Sequence, residues 1–590
     1  MKSFLKYTLA TVVGIMIVGV ILTVVSVSVM TAALVSSGSE TKVHSGSVFV
    51  LELDGSLVER SEDNPMDMLL GNASPTSSVG LDDVLASIKK AKENDRIMGM
   101  LVETGEFSCP PASAEAIRAA LLDFKESGKW LLAYSGTYYQ TAYWLASAAD
   151  KVVLNPNGTI SWCGLAGQVM YYKGLLDKLG VDVEVFRVGS YKSAVEPYIS
   201  QTMSDANREQ IGAYLGSIWS RMTADVASAR GLSEERLNEL ADKNMDLVTA
   251  EECVSAGLAD TLMYKDEMKE WLKQLTDAGD DDPLYTLYLD DMKGVKRNVP
   301  KDMSGNILAV YYAVGNIDMN TGGLFDEEGI DSEVVTAGLR ALRKDDNVKA
   351  VVFRVNSPGG SSYGSEQIWR EICLLKEKKP VIVSMGDYAA SGGYYISCAA
   401  DTIVAEATTL TGSIGVFGVS PTIGGLLKKA GINVETVKTN RLSDIGNMSR
   451  PSTDEEKALV QRTVNTVYDL FTRRCADGRG MSQDSIKMIA EGRVWTGAMA
   501  KDLNLVDEIG GLDKAIDIAA QKAGIENYSI VNYPEKKSPM EMLVGSAKEK
   551  YISTKLKGLP GECYRMLQLV GSLEKGDRIQ ALMPYVVTVK

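Results

Sequence analysis

Histidine is almost missing from this sequence, since its 590 residues contain only one, His44. His44 lies in a Ser/Gly-rich stretch after an N-terminal apolar segment, far along the chain from the best candidate nucleophile, Ser391. This scarcity argues against a Ser-His-Asp triad. A nucleophilic serine in this chain must then be activated by a carboxylate or by a lysine whose pKa is lowered by burial.

Paired cysteine motifs and an excess of basic residues are also missing. The seven cysteines are scattered without a Cys-x-x-Cys pair, which indicates neither a disulfide framework nor a zinc site. We expect all seven to be buried as small apolar side chains. The net charge of -15 argues against a nucleic-acid surface, which needs clustered Lys and Arg. The sequence predicts no cofactor, no metal and no nucleic-acid partner.

Charged residues are absent from residues 7–39, where Val, Ile, Met and Leu dominate. This segment is long enough to cross a bilayer, which takes about 20 apolar residues. A cleavable signal peptide with Thr31-Ala32-Ala33 as its processing site is the alternative, but its apolar core would span only about 7–15 residues. We therefore predict an uncleaved inner-membrane anchor in residues 1–39. Lys2 and Lys6 would stay in the cytoplasm, and the rest of the chain would lie in the periplasm or an equivalent space.

An internal repeat organises the rest of the chain. Strand-like and helix-like segments alternate, as in βαβ units with a parallel sheet. Matching segments recur at an offset of 251 residues, and later at 247: Ile97–Val102 with Val348–Phe353, Tyr143–Asp150 with Tyr394–Asp401, and Leu247–Ala250 with Val494–Gly497. We therefore predict two fused α/β domains, residues 48–303 and 304–534. A linker at 40–47 precedes them, and a tail of unknown role at 535–590 follows.

Ser391 follows an apolar, β-branched run at residues 381–385 and precedes residues with helical spacing. Small neighbours, Ala389, Ala390, Gly392 and Gly393, let another backbone approach and leave N–H groups free at a helix start. A serine that attacks a carbonyl needs this setting. A tight packing turn with a solvated serine would give the same local pattern, so the motif alone leaves both interpretations open.

The two copies differ at the positions that matter for catalysis. Gln140 stands in the first copy where Ser391 stands in the second, and the glycine loop Asn356–Ser361 has no counterpart there. Conversely, Lys192 of the first copy corresponds to Ser443 of the second. Each copy has what the other lacks, which suggests one site assembled from both.

Five motifs at consistent spacing carry a family resemblance: Tyr191–Pro197, Asn356–Gly360, Ala389–Gly393, Thr411–Gly415 and Val494–Gly497. Together they resemble the long, tandem-domain form of bacterial signal peptide peptidase A, a family of membrane-anchored Ser/Lys proteases. The resemblance extends to about residue 530. It implies tandem ClpP/crotonase-like domains with an N-terminal transmembrane helix, a homotetrameric bowl open to the membrane, and remnant signal peptides as substrates.

The same resemblance implies roles for three residues. Ser391 would be the nucleophile, Lys192 the general base, and Ser413 the hydroxyl that orients the lysine. Taken alone, Lys192 would be read as a solvated surface charge, which most lysines are. The segment around Ser413 would be read as a turn between strands.

The loop that contains Pro358, Gly359 and Gly360 has a physical interpretation of its own. Pro358 fixes φ, and the two glycines let the backbone approach a ligand. Their N–H groups, with that of Gly392, are candidates for an oxyanion hole. A plain β-turn after a buried strand is the alternative.

The sequence thus predicts a serine endopeptidase that cuts apolar peptides at the extracytoplasmic membrane face. A catalytically inactive scaffold or quality-control protein of the same fold is the first alternative. An acyl-CoA enzyme of the crotonase type is the second, disfavoured by the topology and by the lack of a CoA-binding pattern. Whether Lys192 serves Ser391 of its own chain or of a neighbour stays open.

Overall fold

The structure is a computed structural model. It describes residues 40–61, 78–279, 281–298, 302–319, 329–536 and 579–583, together with isolated residues between 7 and 21. The predicted anchor therefore lies almost wholly outside the described residues. Within the described ranges, no helix has the length and apolar character needed to cross a membrane.

The first half of the chain builds a seven-stranded parallel sheet. Its strands are β1 (Ser47–Val58), β2 (Ser78–Gly80), β3 (Ile97–Ser108), β4 (Trp130–Tyr138), β5 (Lys151–Ile160), β7 (Thr261–Leu262) and β8 (Thr286–Leu287), while β6 (Asp182–Arg187) lies outside it. The order is β2-β1-β3-β4-β5-β7, with β8 beside β1. Its helices are α1 (Leu81–Glu93), α2 (Pro111–Lys125), α3 (Gln140–Ala146), α4 (Lys173–Leu179), α5 (Glu196–Ile199), α6 (Asp205–Arg230), α7 (Glu234–Lys243), α8 (Ala250–Ser255), α9 (Lys265–Leu275) and α10 (Leu289–Gly294).

The second half repeats this plan in an eight-stranded sheet. Its strands are β9 (Ile307–Val314), β12 (Val348–Ser357), β14 (Val381–Ala390), β15 (Thr402–Ala405), β16 (Leu410–Gly412), β18 (Val494–Thr496), β19 (Glu508–Ile509) and β20 (Ser529–Tyr533). The run β9-β12-β14-β15-β19 has the same neighbours as β1-β3-β4-β5-β7. The helices are α11 (Ser332–Lys344), α12 (Ser362–Lys376), α13 (Gly392–Ser397), α14 (Gly424–Lys429), α15 (Asp454–Arg479), α16 (Gln483–Ile489), α17 (Gly497–Asp502) and α18 (Leu512–Ala523).

Strand β14 shows why the apolar runs of the sequence form these sheets. Val383 packs in one apolar cluster with Ile368 of α12, whereas its neighbour Ile382 packs in another with Ala519 of α18. Helices therefore cover both faces of the sheet, and a parallel strand in that position must be apolar on both sides. This strand ends at Ala390, directly before Ser391.

A third sheet joins the two halves. It has the order β11-β10-β13-β21-β17-β6, and its additional strands are β10 (Ile317–Asp318), β11 (Ile330–Asp331), β13 (Gly359–Ser361), β17 (Phe417–Thr422) and β21 (Ile579–Leu582). Strand β6 of the first half runs antiparallel to β17 of the second, from Arg187 opposite Phe417 to Asp182 opposite Thr422. The chain that follows β6, which includes Lys192, is thereby carried into the second half.

The prediction for the cysteines is wrong in part. Among the described residues, Cys253, Cys398 and Cys475 are buried, Cys109 and Cys373 are partly buried, and Cys163 is exposed. Cys163 follows β5 in an irregular segment that forms neither helix nor strand. A side chain in such a connecting segment lies at the surface of the protein and not in the packed interior between the sheet and its helices.

Candidate active site

Ser391 occupies a strained joint between β14 and α13. Its φ of 55° and ψ of -112° lie outside the regions that a non-glycine residue prefers, at a cost of about 1–3 kcal/mol. The joint is held by two backbone hydrogen bonds of 2.8 Å: Ser391 N donates to Gly412 O, and Tyr395 N donates to Ser391 O. The strand-to-helix placement predicted from the sequence is present.

Lys192 reaches Ser391 from the other half of the chain. It lies between β6 and a 3-10 turn at Ser193–Val195, and its side chain is fully buried. Its Nζ lies 2.8 Å from Ser391 Oγ, 3.0 Å from Ser413 Oγ and 3.0 Å from the Ser413 carbonyl oxygen. The structure thus brings Lys192, Ser391 and Ser413 together within a single chain.

The environment of Lys192 favours the neutral amine. Burial lowers the pKa of Lys192 well below its ordinary value of 10.5. The atoms that its Nζ contacts belong to two serines and carry no charge. A buried ammonium without a carboxylate partner is costly, so desolvation shifts the equilibrium toward the free base.

Gly492 holds the lysine in place, and sequence reasoning missed it. A Cβ added at Gly492 would lie 2.7 Å from Lys192 Cβ and 2.8 Å from Lys192 Cα, so only glycine allows this approach. The contact is fixed on both sides, because Gly492 N donates to Ile414 O at 2.9 Å and Tyr191 N donates to Glu491 O at 3.1 Å. The only signal in the sequence was the position of this glycine two residues before the Val494–Gly497 motif.

The glycine loop is anchored through Asn356. The Asn356 Nδ2 group donates to Glu59 Oε2 at 2.9 Å and to Asp387 Oδ2 at 3.1 Å, and Asn356 Oδ1 accepts from Tyr388 N at 3.1 Å. Glu59, from the first half, also pairs with the buried Arg354 at 2.6 Å. Neither Glu59 nor Asp387 was singled out from the sequence. The Glu59 contacts show that the first half supports the loop as well as supplying the lysine.

The three predicted oxyanion-hole residues lie close to one another. Gly359 and Gly360 have φ values of 107° and 149°, which favour glycine. A Cβ built on Gly359 would lie 2.7 Å from Gly392 N. The loop and the start of α13 therefore meet beside Ser391.

Three other residues that drew attention in the sequence lie outside this cluster. Gln140 is buried, and its Oε1 accepts from Cys163 N at 3.0 Å and Gly164 N at 2.9 Å, so it holds a loop of the first half. Ser443 is exposed and donates to Asn440 O. His44 stacks on Tyr285 with 4.2 Å between ring centroids.

Comparison with known proteins gives consistent results. The model of "Peptidase family S49" matches residues 123–279 and again residues 374–526. "Protease 4" of Salmonella typhi is 34% identical over 527 residues, covering 87% of this chain and 84% of that protein. "Serine protease SPPA, chloroplastic" of Arabidopsis thaliana is 33% identical over 505 residues, covering 85% of this chain and 73% of that protein.

A solved structure of a ClpP1 mutant from Listeria monocytogenes is also similar. It is 17% identical, covers 35% of this chain and 94% of its own, and has a TM-score of 0.24. That score is too low to bear on the fold. The assignment to the ClpP/crotonase type therefore stays a prediction, while the α/β architecture itself is present in both halves.

Proposed function

The chain belongs to peptidase family S49, and we propose that it is a membrane-anchored serine endopeptidase in which Lys192 activates Ser391. The observation that carries this proposal is the 2.8 Å contact between Lys192 Nζ and Ser391 Oγ inside a fully buried cluster. The tandem family match and the protease relatives support the broader statement that the chain is a serine protease.

The hydrogen bonds around Lys192 suit a neutral amine. Such an amine has two N–H donors and one lone pair. The Ser413 hydroxyl and carbonyl oxygens, both 3.0 Å from Nζ, accept the two donors. The lone pair is then left for the Ser391 hydroxyl proton, which is the geometry that a general base requires. Ser413 acts as the positioning residue.

The reaction follows from this arrangement. Ser391 Oγ attacks the peptide carbonyl as its proton passes to Lys192, and the ammonium then gives that proton to the leaving amine. N–H groups of Gly359, Gly360 and Gly392 stabilise the oxyanion of the tetrahedral intermediate, for which Gly359 N exchanges its 3.1 Å hydrogen bond to Ser357 Oγ. Water activated by the same lysine hydrolyses the acyl-enzyme, which restores the free serine.

Apolar peptides, including remnant signal peptides, are the substrates. An apolar cluster beside the site, made by Val195, Phe417 and Val419, supports this choice. The apolar segment at residues 7–39 anchors the enzyme in the inner membrane, with its catalytic part in the periplasm or an equivalent space. Four chains form a bowl that opens to the membrane, as the resemblance to signal peptide peptidase A implies.

A fluorophosphonate probe tests the nucleophile and separates this function from that of an inactive scaffold. The wild-type protein in detergent should be labelled at Ser391 and should cleave a short apolar peptide. Ser391→Ala should lose both properties, whereas Ser443→Ala, changed at an exposed position of the same residue type, should keep both. Labelling that persists in Ser391→Ala would show that the nucleophile is wrongly assigned.

The anchor is tested separately by fractionation and mass. An uncleaved anchor predicts that the protein stays with the inner membrane through an alkaline wash and keeps its N-terminal residues. An intact mass that starts near Leu34 would show that the segment is a removed signal peptide.

A further inference from the structure

Strand β14 carries a bulge shortly before the nucleophile, opposite Asn356 of β12. The last regular pair of these strands is Val355 opposite Met385, and the next pair is Ser357 opposite Ala389. One residue of β12 therefore faces three residues of β14. A bulge bends the strand that holds the extra residues and changes where its later side chains point. The bulge thus sets where the nucleophile stands relative to the glycine loop, which begins at Asn356.

The side chain of Asn356 fills the bulge and ties the two strands together. Its Oδ1 accepts from the backbone of the bulge at Tyr388 N, and its Nδ2 donates to the bulge side chain of Asp387 and to Glu59 of the first half. A Cβ added to Gly386 would lie 2.8 Å from Asn356 Cγ, so the first bulge residue packs directly on the amide. Both N–H groups and the oxygen of this amide are therefore used to hold the bulge in one conformation.

The two carboxylates that accept from Asn356 are themselves held by buried partners. Ser113 of the first half donates to Asp387 Oδ1 through its backbone N and its Oγ, both at 2.8 Å. Glu59 pairs with Arg354, which also donates to Met385 O at 2.8 Å, on the strand just before the bulge. The side chains of Glu59 and Arg354 are only 4% and 5% exposed. A buried polar network with satisfied members is rigid, so the first half fixes the position of the Asn356 amide.

The repeat shows that this network belongs only to the half that contains the nucleophile. At the offset of 251 residues, Gly105 stands in the first copy where Asn356 stands in the second, and Gly136 stands where Asp387 stands. Among the described residues, the pairing of β3 with β4 ends at Glu103 with Tyr134, so the first copy has no strand pair beyond the equivalent point. A network needed only for the shared α/β fold would be expected in both copies. Its restriction to one copy links it to the catalytic site.

We propose that Asn356 is a positioning residue for catalysis, which fixes the glycine loop against the strand that ends at Ser391, and that Glu59 holds it from the first half. This rests on the proposed function, because the loop and Ser391 are parts of that mechanism. The oxyanion is stabilised only if the loop N–H groups lie at hydrogen-bond distance from where it forms. Without the Asn356 amide the bulge loses its cross-strand hydrogen bonds, and the loop and Ser391 no longer hold a fixed separation. The loss falls on the transition state.

Steady-state kinetics of full-length Asn356→Ala test the proposal. On a fluorogenic apolar peptide kcat should fall by about 100-fold, the loss expected when an oxyanion-hole donor is misplaced. KM should stay within about twofold of wild type, because a transition-state defect leaves ground-state binding intact. An aldehyde of the same peptide, which forms a tetrahedral adduct with Ser391, should bind about 100-fold more weakly. The pH midpoint of fluorophosphonate labelling should not move, because Lys192 keeps its contacts.

Gln140→Ala is the matched control, because it also removes a buried amide that holds a loop, but in the first half and outside the site. It should keep the wild-type kcat and aldehyde affinity. Glu59→Gln removes one of the two acceptor oxygens shared by Arg354 and Asn356, so its kcat should fall by about tenfold, again with KM unchanged. This variant decides the question by the same measurements if Asn356→Ala does not fold.

The outcomes separate the proposal from the function on which it rests. Wild-type kcat and aldehyde affinity in folded Asn356→Ala would overturn the positioning role while the proposed function stands. An equal loss of kcat in Gln140→Ala would also overturn it, because general loosening of the fold would then be the cause. A wild type that cleaves no apolar peptide would contradict the proposed function itself.

Discussion

Gly492 is the position where one added methyl group should disable the site without removing a polar atom. In Gly492→Ala the new Cβ would meet Lys192 Cβ at 2.7 Å and both Lys192 Cα and Lys192 N at 2.8 Å. Three backbone-proximal atoms cannot swing away as the end of a flexible side chain can. The lysine segment must therefore move as a whole.

Gly480→Ala is the matched control for this change. Both glycines have positive φ, 83° at Gly492 and 63° at Gly480, so an alanine at either costs about 1–2 kcal/mol in left-handed backbone. At Gly480, however, no described atom lies within 4 Å of the added Cβ. The two variants share the conformational cost and differ in the collision with Lys192.

The size of the effect follows from the overlap. Carbon atoms in contact lie about 3.5–4.0 Å apart, so a separation of 2.7 Å requires Lys192 to retreat by about 1 Å. A displacement of that size in a catalytic group costs about 100-fold in rate. We expect kcat on a fluorogenic apolar peptide to fall by about that factor in Gly492→Ala, with KM nearly unchanged. If kcat stayed within about threefold of the Gly480→Ala value, the account of how the lysine is held would be wrong.

Three further predictions concern single side chains. Ser413→Ala keeps the carbonyl acceptor but loses the hydroxyl one, so kcat should fall by about tenfold, the value of one hydrogen bond, as measured by steady-state peptide turnover. Burial, with a smaller contribution from Glu115, raises the pKa of Glu406 to about 8. Below about pH 4.5 this carboxyl is neutral in both the folded and the unfolded protein, so Glu406 does not reduce the free energy of unfolding there. Between about pH 4.5 and 8 only the unfolded protein ionises it readily, so the free energy of unfolding falls as the pH rises. Gln cannot ionise, so the difference in unfolding free energy between Glu406→Gln and wild type, measured by urea unfolding, should grow by about 1.4 kcal/mol for each pH unit across this range. A difference that does not change with pH would contradict the raised pKa of Glu406. Gln140→Ala should leave kcat unchanged but lower the melting temperature, because two backbone N–H groups lose their acceptor; a large loss of kcat in the folded variant would mean that the halves are wrongly paired.

The repeat predicted more of the site than any local pattern did. Lys192 and Ser391 are 199 residues apart, and what each copy lacks suggested a site built from both, while the family resemblance implied the role of each residue. The 251-residue offset between the copies could not show how the segment that contains Lys192 reaches the second half. The segment of the second copy that corresponds to β6, residues 433–438, forms no strand, and β6 itself pairs with β17 of the other half.

Features that depend on distant partners escaped sequence reasoning. The repeat marked only Ile97–Val102 in this region, but strand β3 continues to Ser108, because Phe107 and Ser108 pair with Gly55 and Ser56 of β1. Strand β21 was not predicted at all. Its four residues have no strong pattern of their own, and their conformation depends on a groove formed more than 150 residues earlier in the chain.

The pH dependence of Ser391 acylation tests the Ser/Lys pairing most directly. The rate of labelling by a fluorophosphonate should rise through a single ionisation with a midpoint well below 10.5, because burial lowers the pKa of Lys192 and the neutral amine is the base. Lys192→Met, similar in size but without a base, should show no appreciable labelling across the neutral and alkaline range. Labelling of folded Lys192→Met at the wild-type rate, with the same pH profile, would contradict the role of Lys192.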